Sequence, residues 1–228
     1  MKLLIIRHGE PDYESDCLTA NGILQAKKLA ARLETENITA AYMSPMGRAR
    51  ETAEICVNGK NISLTQCDWL HEFDVKVHDS DKSEPVHTWD ICPKNWTSDD
   101  SLYDRKKFFL SPGMQGSGIK ERFDAVCCGL DSLLADYGLV REGGVYRKAS
   151  ACNETLALFC HFGATCVIIA HLLGISPIVA LQGFSAEPTA IATLCTDDRF
   201  GELVNFRLHG FGDIAHQDNR GAGIVNYQ

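Results

Sequence analysis

The sequence has no run of basic residues and no apolar stretch long enough to cross a bilayer. Its 22 Lys and Arg residues are outnumbered by 30 Asp and Glu residues, which gives a formal net charge of −8. This balance repels nucleic acid and anionic membranes, so we expect neither as a partner. The first apolar run is cut off by Arg7, which does not fit the layout of a signal peptide. These absences together predict a cytoplasmic protein.

Cysteine is abundant, but its 10 residues are scattered and none forms a C-x-x-C pair. Zinc sites built on such pairs are therefore poorly supported. A chain of 228 residues is large enough to bury its core without disulfides. We expect most of these cysteines to be small buried residues in a reducing compartment. The sequence predicts neither a metal site nor an organic cofactor.

The N-terminal segment predicts a strand, a loop and a helix. Lys2–Ile6 is nearly all apolar, which is typical of a strand buried on both faces of a parallel sheet. Thr19 is a candidate N-cap for the helix that follows. Apolar residues then recur at helical spacing, at Ile23, Ala26, Ala30 and Leu33.

The same strand-helix pattern returns twice. Residues 40–43 form a short apolar strand, and Ser44 and Pro45 have the residue types of an N-cap and a first helical position. Residues 156–160 form a third strand, and the apolar helix after it is closed by Gly174. This alternation predicts a three-layer α/β fold with a mainly parallel sheet and helices on both faces.

The segment of about residues 75–118 has a different texture, in which polar residues, Pro and Gly are interspersed with Trp and Phe. It is too aromatic for a disordered linker and too polar for a core element, so we interpret it as an inserted cap. Helical periodicity resumes at Ile119 and ends at Gly138. We therefore predict one domain over residues 1–228, with the cap inserted into it.

Two strand-like segments near the C-terminus, T-A-I-A-T-L-C-T and L-V-N-F-R-L, flank a D-D-R-F-G turn. This pattern predicts an antiparallel hairpin on the edge of the sheet. An exposed edge would allow two copies of the chain to pair, so a homodimer is possible.

Polar side chains follow each of the three predicted parallel strands. Arg7 and His8 follow the first, Ser44 and Arg48 the second, and His161 the third. Ligands of open parallel sheets bind beyond the carboxyl ends of the strands, so we expect these residues to share one pocket.

The residue types in this pocket suit phosphate chemistry. The guanidinium groups of Arg7 and Arg48 match a phosphate in charge and geometry, and the predicted helix starts after Ser44 and Gly163 add backbone N–H donors. A neutral imidazole can attack phosphorus while a second imidazole stabilises the developing charge. The leaving alcohol then needs a proton, for which Glu72 is our candidate, with Asp74 and Glu10 as rivals.

Four motifs resemble, in order and spacing, those of the histidine phosphatase superfamily, which has the phosphoglycerate mutase-like fold. They are L-I-I-R-H-G-E (4–10), S-P-M-G-R-A-R-E-T-A (44–53), L-H-E (70–72) and F-C-H-F-G (159–163). The resemblance implies that His8 is the phosphorylated nucleophile and that Glu72 is the proton donor. It also implies a phosphate pocket made by Arg7, Arg48 and His161. The resemblance extends over about residues 1–75 and 150–176 and hardly includes the insert.

Two departures from the family pattern bear on the reaction. Glu14 stands where mutases of the family usually have Asn, and an acid there repels a phosphoglycerate. Phe162 follows the second histidine, where small phosphatases commonly have Gly and phytases have Asp; we include it among the phosphate-binding positions. The sequence therefore favours hydrolysis of a small phosphorylated substrate through a phosphohistidine.

Three alternatives stay open at this point. A phosphoglycerate mutase-type phosphotransferase would use the same residues and return the phosphoryl group to a bound product. A non-catalytic module would keep the pocket and bind a phosphorylated ligand without turnover. A metal site with His8, His161 and a third ligand such as His71, and with Glu72 as a base, would leave the two arginines without a use.

Overall fold

The computed structural model describes residues 1–217. Its strands are β1 (Lys2–Arg7), β2 (Pro11–Asp12), β3 (Cys17–Leu18), β4 (Ala40–Met43), β5 (Ser63–Gln66), β6 (Lys76–Val77), β7 (Val86–His87), β8 (Leu139–Glu142), β9 (Val145–Lys148), β10 (Thr155–Cys160), β11 (Ile191–Asp197) and β12 (Leu203–Asp213). Its α-helices are α1 (Ala20–Arg32), α2 (Gly47–Val57), α3 (Pro93–Thr97), α4 (Ile119–Asp136), α5 (Phe162–Leu173) and α6 (Pro177–Gly183).

The central sheet has the strand order β5-β4-β10-β1-β11-β12-β9-β8. Strands β5, β4, β10 and β1 are parallel, and β11, β12, β9 and β8 continue the sheet in antiparallel pairings. The predicted fold class, with its parallel strands, flanking helices and antiparallel edge, is confirmed. The predicted C-terminal hairpin exists as β11–β12, but it lies inside the sheet. The antiparallel edge is instead the β8–β9 hairpin, whose turn is Gly143-Gly144.

The two faces of the sheet carry separate apolar clusters because side chains alternate along a strand. On β1, Leu3 and Ile5 join the cluster that includes α4 and α5, whereas Leu4 and Ile6 join the cluster that includes α1 and α2. Helices therefore cover both faces, as the strand-helix alternation predicts. Parallel strands that are buried on both faces place their carboxyl ends together at one edge of the sheet.

The helix starts test the predicted caps. The Thr19 side chain accepts a hydrogen bond from the Gly22 N–H at the start of α1, as predicted. Ile23 was expected in the buried stripe of α1, but it is 37% exposed, and Gly22 and Leu29 are buried instead. The helix after β4 begins at Gly47, so Ser44 is not its N-cap.

The insert consists of short elements, namely β6, β7, α3 and several single turns of 3-10 helix. Its apolar residues Ile91, Leu102 and Phe108 are buried in the same cluster as α4 and α5. The insert thus packs onto the body of the fold beside the carboxyl ends of the strands. No helix among residues 1–217 has the length and apolar character to cross a membrane. The single domain over 1–228 stays a prediction.

Candidate active site

Three neighbouring strands, β4, β10 and β1, end at the same place and bring the two predicted histidines together. Arg7 at the end of β1 pairs with Cys160 at the end of β10, and a histidine follows each of these residues. The ring centroids of His8 and His161 lie 5.1 Å apart. The predicted convergence of these strand ends is therefore present in the structure.

His8 is buried and its ring is fixed by its own backbone. Nδ1 lies 2.7 Å from the carbonyl oxygen of Gly9. Since a carbonyl only accepts, Nδ1 carries the proton and Nε2 keeps its lone pair. Burial, aided by the charges of Arg7 and Arg48, lowers the pKa of His8 to about 3. At neutral pH the ring is therefore a neutral imidazole whose Nε2 is unprotonated.

Arg48 lies beside this nitrogen and is 6% exposed. Its Nε–H donates to Nε2 of His8 at 3.3 Å, and its NH1 forms an ion pair with Asp16 at 2.5 Å. This contact could not be predicted from sequence, because nothing in the local pattern around Asp16 points to an arginine 32 residues away. Asp16 fixes the position of Arg48 and neutralises part of its charge.

The Asp16 loop is locked onto the start of α2. The second carboxylate oxygen of Asp16 accepts from the Gly47 N–H at 2.7 Å. A Cβ on Gly47 would lie 2.0 Å from the Asp16 carbonyl oxygen, so this contact requires glycine. Asp16 itself has a φ of 48°, which non-glycine residues adopt rarely. Burial opposes ionisation of Asp16, but the bonds from Gly47 and Arg48 outweigh it and lower its pKa.

His161 is fully buried, and its orientation is set by Ser44. The Ser44 Oγ lies 2.8 Å from Nε2 of His161 and accepts the Met46 N–H at 3.2 Å. Nδ1 of His161 is buried and has no hydrogen-bond partner among residues 1–217. Burial, followed by the charges of His8 and Arg48, lowers the pKa of His161. Ser44 is thus part of the site as a partner of His161 and has no capping role.

Arg7 is held by the loop before β11. Its NH1 donates to the carbonyl of Ala186, and its backbone N–H donates to Ala190 at 3.0 Å. The same loop donates the Thr189 N–H to the carbonyl of His8 at 3.0 Å. Nε of Arg7 is buried and unpartnered in the described chain. The loop therefore aims an arginine and supports the backbone of the predicted nucleophile.

Glu72 reaches the start of α5, next to the two histidines. Its Oε1 accepts the N–H of Phe73 at 2.7 Å and that of Ala164 at 3.3 Å. Burial raises the pKa of Glu72, and this effect exceeds the opposing effects of the two backbone bonds and of the site arginines. A Cβ on Gly163 would lie 2.7 Å from Oε1, so a glycine there is needed to admit the carboxyl group. A carboxyl group that holds its proton more strongly suits a general acid.

The two rival acids are placed differently. Glu10 accepts hydrogen bonds from Thr19 at 2.7 Å and Asn21 at 2.8 Å, and these bonds lower its pKa. It therefore serves the start of α1 and is a poor proton donor. Asp74 is exposed. The geometry thus favours Glu72 among the three acids.

Phe162, a predicted phosphate-binding position, is the first residue of α5 and is partly buried. Its ring packs edge-on against Trp89 of the insert, with centroids 6.0 Å apart. The backbone N–H at this helix position has no intrahelical partner, so only the backbone of Phe162 can serve a phosphate. Its side chain belongs to an aromatic contact.

A third histidine adjoins the pair. The ring centroid of His71 lies 6.5 Å from that of His161. From α4, Arg122 donates to the His71 carbonyl at 2.8 Å and to the Glu72 carbonyl at 3.4 Å. Because His71 does not follow a strand, it was predicted from sequence only as a possible metal ligand. Arg122 fixes the segment that carries Glu72.

The site thus combines a neutral imidazole with an unprotonated nitrogen, two guanidinium groups, a second imidazole and a shielded carboxyl group. Two buried nitrogens, Nε of Arg7 and Nδ1 of His161, lack protein partners within residues 1–217. Buried polar groups normally have partners, so these two are available to a ligand oxygen. In that same part of the chain, no group of three or more His, Cys, Asp or Glu residues is placed to hold a metal ion.

A family model described as histidine phosphatase superfamily (branch 1) matches residues 3–208. The chain therefore belongs to the histidine phosphatase superfamily, and the resemblance carried by its motifs is confirmed. Membership supports the prediction of a phosphatase enzyme.

The curated relatives match only part of the chain. A probable phosphoglycerate mutase of Citrobacter koseri is 29% identical over 147 residues, which cover 59% of this chain and 63% of the relative. The chain thus spans less than two thirds of that relative's length.

Solved structures match over nearly the whole chain. A phosphoserine phosphatase of Entamoeba histolytica, in complex with 3-phosphoglyceric acid, is 24% identical with a TM-score of 0.58, and the match covers 94% of this chain and 98% of that one. A mycobacterial glucosyl-3-phosphoglycerate phosphatase is 18% identical with a TM-score of 0.63 over 92% and 98% of the two chains. At these identities the likeness shows the fold.

Proposed function

We propose that this member of the histidine phosphatase superfamily hydrolyses small-molecule phosphomonoesters through a phosphohistidine on His8. The observation that carries the proposal is the tautomer of His8, whose Nδ1–H is bonded to Gly9 and whose Nε2 faces Arg48. The phosphatase names of the structural neighbours support hydrolysis, and the phosphorylated compounds they name are small molecules.

In the first step, the lone pair of His8 Nε2 forms a bond to phosphorus while the bond from phosphorus to the leaving oxygen breaks. Glu72 gives its proton to that oxygen, so a neutral alcohol departs and a carboxylate stays behind. The phosphoryl oxygens accept hydrogen bonds from the N–H groups of Arg7 and Arg48 and from Nδ1–H of His161. Binding the phosphate dianion offsets the arginine charges that lower the pKa of Glu72, which favours its acid form before transfer.

In the second step, the Glu72 carboxylate removes a proton from water as the oxygen of that water attacks phosphorus. The bond between phosphorus and Nε2 breaks, and its electron pair returns to His8. Inorganic phosphate leaves and Glu72 is again protonated. His8 and Glu72 thus return to their starting states without an external reagent.

A second candidate is a phosphoglycerate mutase-type phosphotransferase, which is favoured by the name of the Citrobacter koseri relative. It would use the same first step, after which an alcohol of the bound product replaces water. Glu14 is exposed in the turn between β2 and β3, and its negative charge argues against a phosphoglycerate as substrate. We therefore favour hydrolysis over phosphoryl transfer to an alcohol.

The test is to quench the enzyme during turnover of a radiolabelled phosphomonoester and to examine the protein-bound phosphate. We expect an acid-labile, alkali-stable phosphohistidine that is absent from His8→Ala and present in His209→Ala, which alters an exposed histidine. Activity that survives a chelator would support the predicted independence of metal ions. A failure to label the wild-type protein with any phosphomonoester would overturn the proposal. Release of label only to a second alcohol, and never to water, would favour the mutase.

A further inference from the structure

The insert places an indole ring directly beside the candidate proton donor. A Cβ built on Gly163 would lie 2.7 Å from Oε1 of Glu72 and 2.9 Å from Cζ3 of Trp89. The carboxyl oxygen and the indole edge thus border the same point at the start of α5. In the proposed function, Glu72 protonates the leaving oxygen. The group attached to that oxygen must therefore pass next to Trp89.

Trp89 belongs to a set of three rings, which we call the aromatic wall and define as His87, Trp89 and Phe162. The rings of His87 and Trp89 are stacked, with centroids 4.8 Å apart and planes within 1°. Phe162 meets Trp89 edge-on at 6.0 Å. All three residues are only partly buried, so the wall keeps exposed ring surface. Flat ring surfaces of this kind pack well against other rings.

The wall is anchored to the body of the fold. The Thr88 carbonyl accepts a hydrogen bond from the side-chain amide of Gln182 on α6 at 2.6 Å. Two polar atoms of the same segment, Nδ1 of His87 and Oγ1 of Thr88, are buried and have no partner among the described residues. Thr88 itself is fully buried, so it anchors the chain between His87 and Trp89. The wall therefore offers a flat apolar surface in a fixed position.

The charges around Glu72 discriminate between leaving groups. Arg7 and Arg48 are the cations that act most strongly on the pKa of Glu72, and the proposed function assigns both to the phosphoryl group. Arg122 is already engaged by the carbonyls of His71 and Glu72. A carboxylate on the alcohol part would have to share the two arginines with the phosphoryl group, and Asp16 already neutralises part of the charge of Arg48. An uncharged alcohol avoids this competition.

From this geometry we infer that the alcohol part of the substrate is an uncharged ring, either aryl or sugar, that packs against the aromatic wall. Trp89 then determines specificity, and short carboxylated phosphomonoesters are disfavoured. This inference rests on the proposed function, since it uses Glu72 to locate the leaving oxygen. It adds the class of alcohol, which neither the motifs nor the family specifies.

The test compares four substrates that all release a primary alcohol, so that leaving-group chemistry is matched. Benzyl phosphate and glucose 6-phosphate carry rings, whereas glycerol 3-phosphate and 3-phosphoglycerate do not. We expect kcat/KM for at least one ring substrate to exceed that for 3-phosphoglycerate by about tenfold or more. Preference for benzyl phosphate alone would indicate an aryl ring, and preference for glucose 6-phosphate alone a sugar.

The matched variants are Trp89→Leu, which removes the flat ring but keeps bulk, and Trp96→Leu. Trp96 is a partly buried tryptophan of the same insert whose ring packs on Tyr103, with centroids 5.5 Å apart. We expect Trp89→Leu to raise KM for the preferred ring substrate about tenfold and to leave glycerol 3-phosphate within about threefold. Trp96→Leu should keep the ring preference. Trp89→Phe should retain most of the ring preference, and this result would exclude a folding defect as the cause of the Trp89→Leu effect.

Three results would overturn the inference while the proposed function stands. They are a preference for 3-phosphoglycerate, equal use of all four substrates, and a Trp89→Leu effect that is the same for every substrate. Phosphohistidine would still form on His8 in each case. If no substrate is hydrolysed and His8 is never labelled, the proposed function fails and this inference fails with it.

Discussion

The Oγ atom of Ser44 lies 2.8 Å from Nε2 of His161, although 117 residues separate them along the chain. Strands β4 and β10 are parallel neighbours, and Met43 pairs with Phe159, so the residues that follow these strands meet. Ser44 Oγ already accepts the Met46 N–H, which leaves the hydroxyl hydrogen free to be donated to His161. The imidazole then keeps its proton on Nδ1, the nitrogen that has no protein partner in residues 1–217.

This relationship predicts the effect of Ser44→Ala. Without the hydroxyl group, the other tautomer of His161 becomes accessible and the donor to the phosphoryl group is lost part of the time. We expect kcat to fall about tenfold, less than the ~10²–10³ lost when a transition-state donor is removed outright. Ser44→Thr should keep most of the activity. Steady-state kinetics check this, and a change confined to KM would contradict the assigned tautomer.

The residues at strand ends could be predicted from sequence because their positions follow from pattern alone. Apolar strands that end in Arg7, His8 and His161 must bring these side chains to one edge of a parallel sheet. The role of Ser44 could not be read in this way. A serine before a proline has the pattern of a helix cap, and only the β4–β10 pairing shows that it serves His161 instead.

The contacts that could not be predicted from sequence are made by loops. Asp16 reaches Arg48 from a short hairpin, and Trp89 of the insert lies beside Gly163 and Glu72; neither segment has a repeating pattern. Likewise, β8–β9 is the sheet edge because β12 is long enough to pair with both β11 and β9. Such pairings depend on tertiary packing, which overrides local signals.

Asp16→Asn tests the ion pair that holds Arg48. The amide oxygen of Asn can still accept the Gly47 N–H, but the negative charge beside Arg48 is removed. We expect the inhibition constant of inorganic phosphate to fall by about threefold to tenfold, because the site becomes more positive. Product inhibition measures this directly. Asp12→Asn, in the same hairpin, is the matched control and should leave the constant unchanged. Weaker phosphate binding in Asp16→Asn would mean that the carboxylate acts mainly by positioning Arg48.

The pH dependence of turnover tests the assignment of Glu72 as the acid. Burial raises the pKa of Glu72 above its ordinary 4.5, so the acid form persists above that value and is lost as pH rises through the raised pKa. The pKa of His8 is lowered to about 3, so the nucleophile stays neutral until pH falls towards 3. We expect kcat for alkyl phosphates to fall on the alkaline side, whereas p-nitrophenyl phosphate, whose leaving group needs no proton, loses much less.

Variants separate Glu72 from its rivals in the same experiment. Glu72→Gln should remove the alkaline limb for alkyl phosphates and lower their kcat by about 10²–10⁴. Glu10→Gln is the matched control, because Glu10 is bonded to Thr19 and Asn21 at the start of α1. An unchanged alkaline limb in Glu72→Gln would show that another group supplies the proton, and Asp74→Asn would be examined next.

Thr189 links the C-terminal part of the described chain to the nucleophile. It is fully buried with a φ of 64°, and its hydroxyl accepts from His216 at 3.0 Å and from Gln217 at 2.5 Å. Thr189→Val keeps the shape of the side chain but leaves these donors unpaired. We therefore expect the free energy of unfolding, measured by urea titration, to fall by about 1–3 kcal/mol. Thr189→Ser keeps the hydroxyl and should retain nearly all of the stability.

The same pair of variants shows whether this contact also positions His8. The backbone N–H of Thr189 donates to the His8 carbonyl at 3.0 Å, so a shift of the strained loop displaces the imidazole that must attack phosphorus in line. We expect Thr189→Val to lower kcat about tenfold with KM changed less than about threefold, measured well below its melting temperature. If Thr189→Val is less stable but has the kcat of the wild type, Thr189 stabilises the fold and does not position His8.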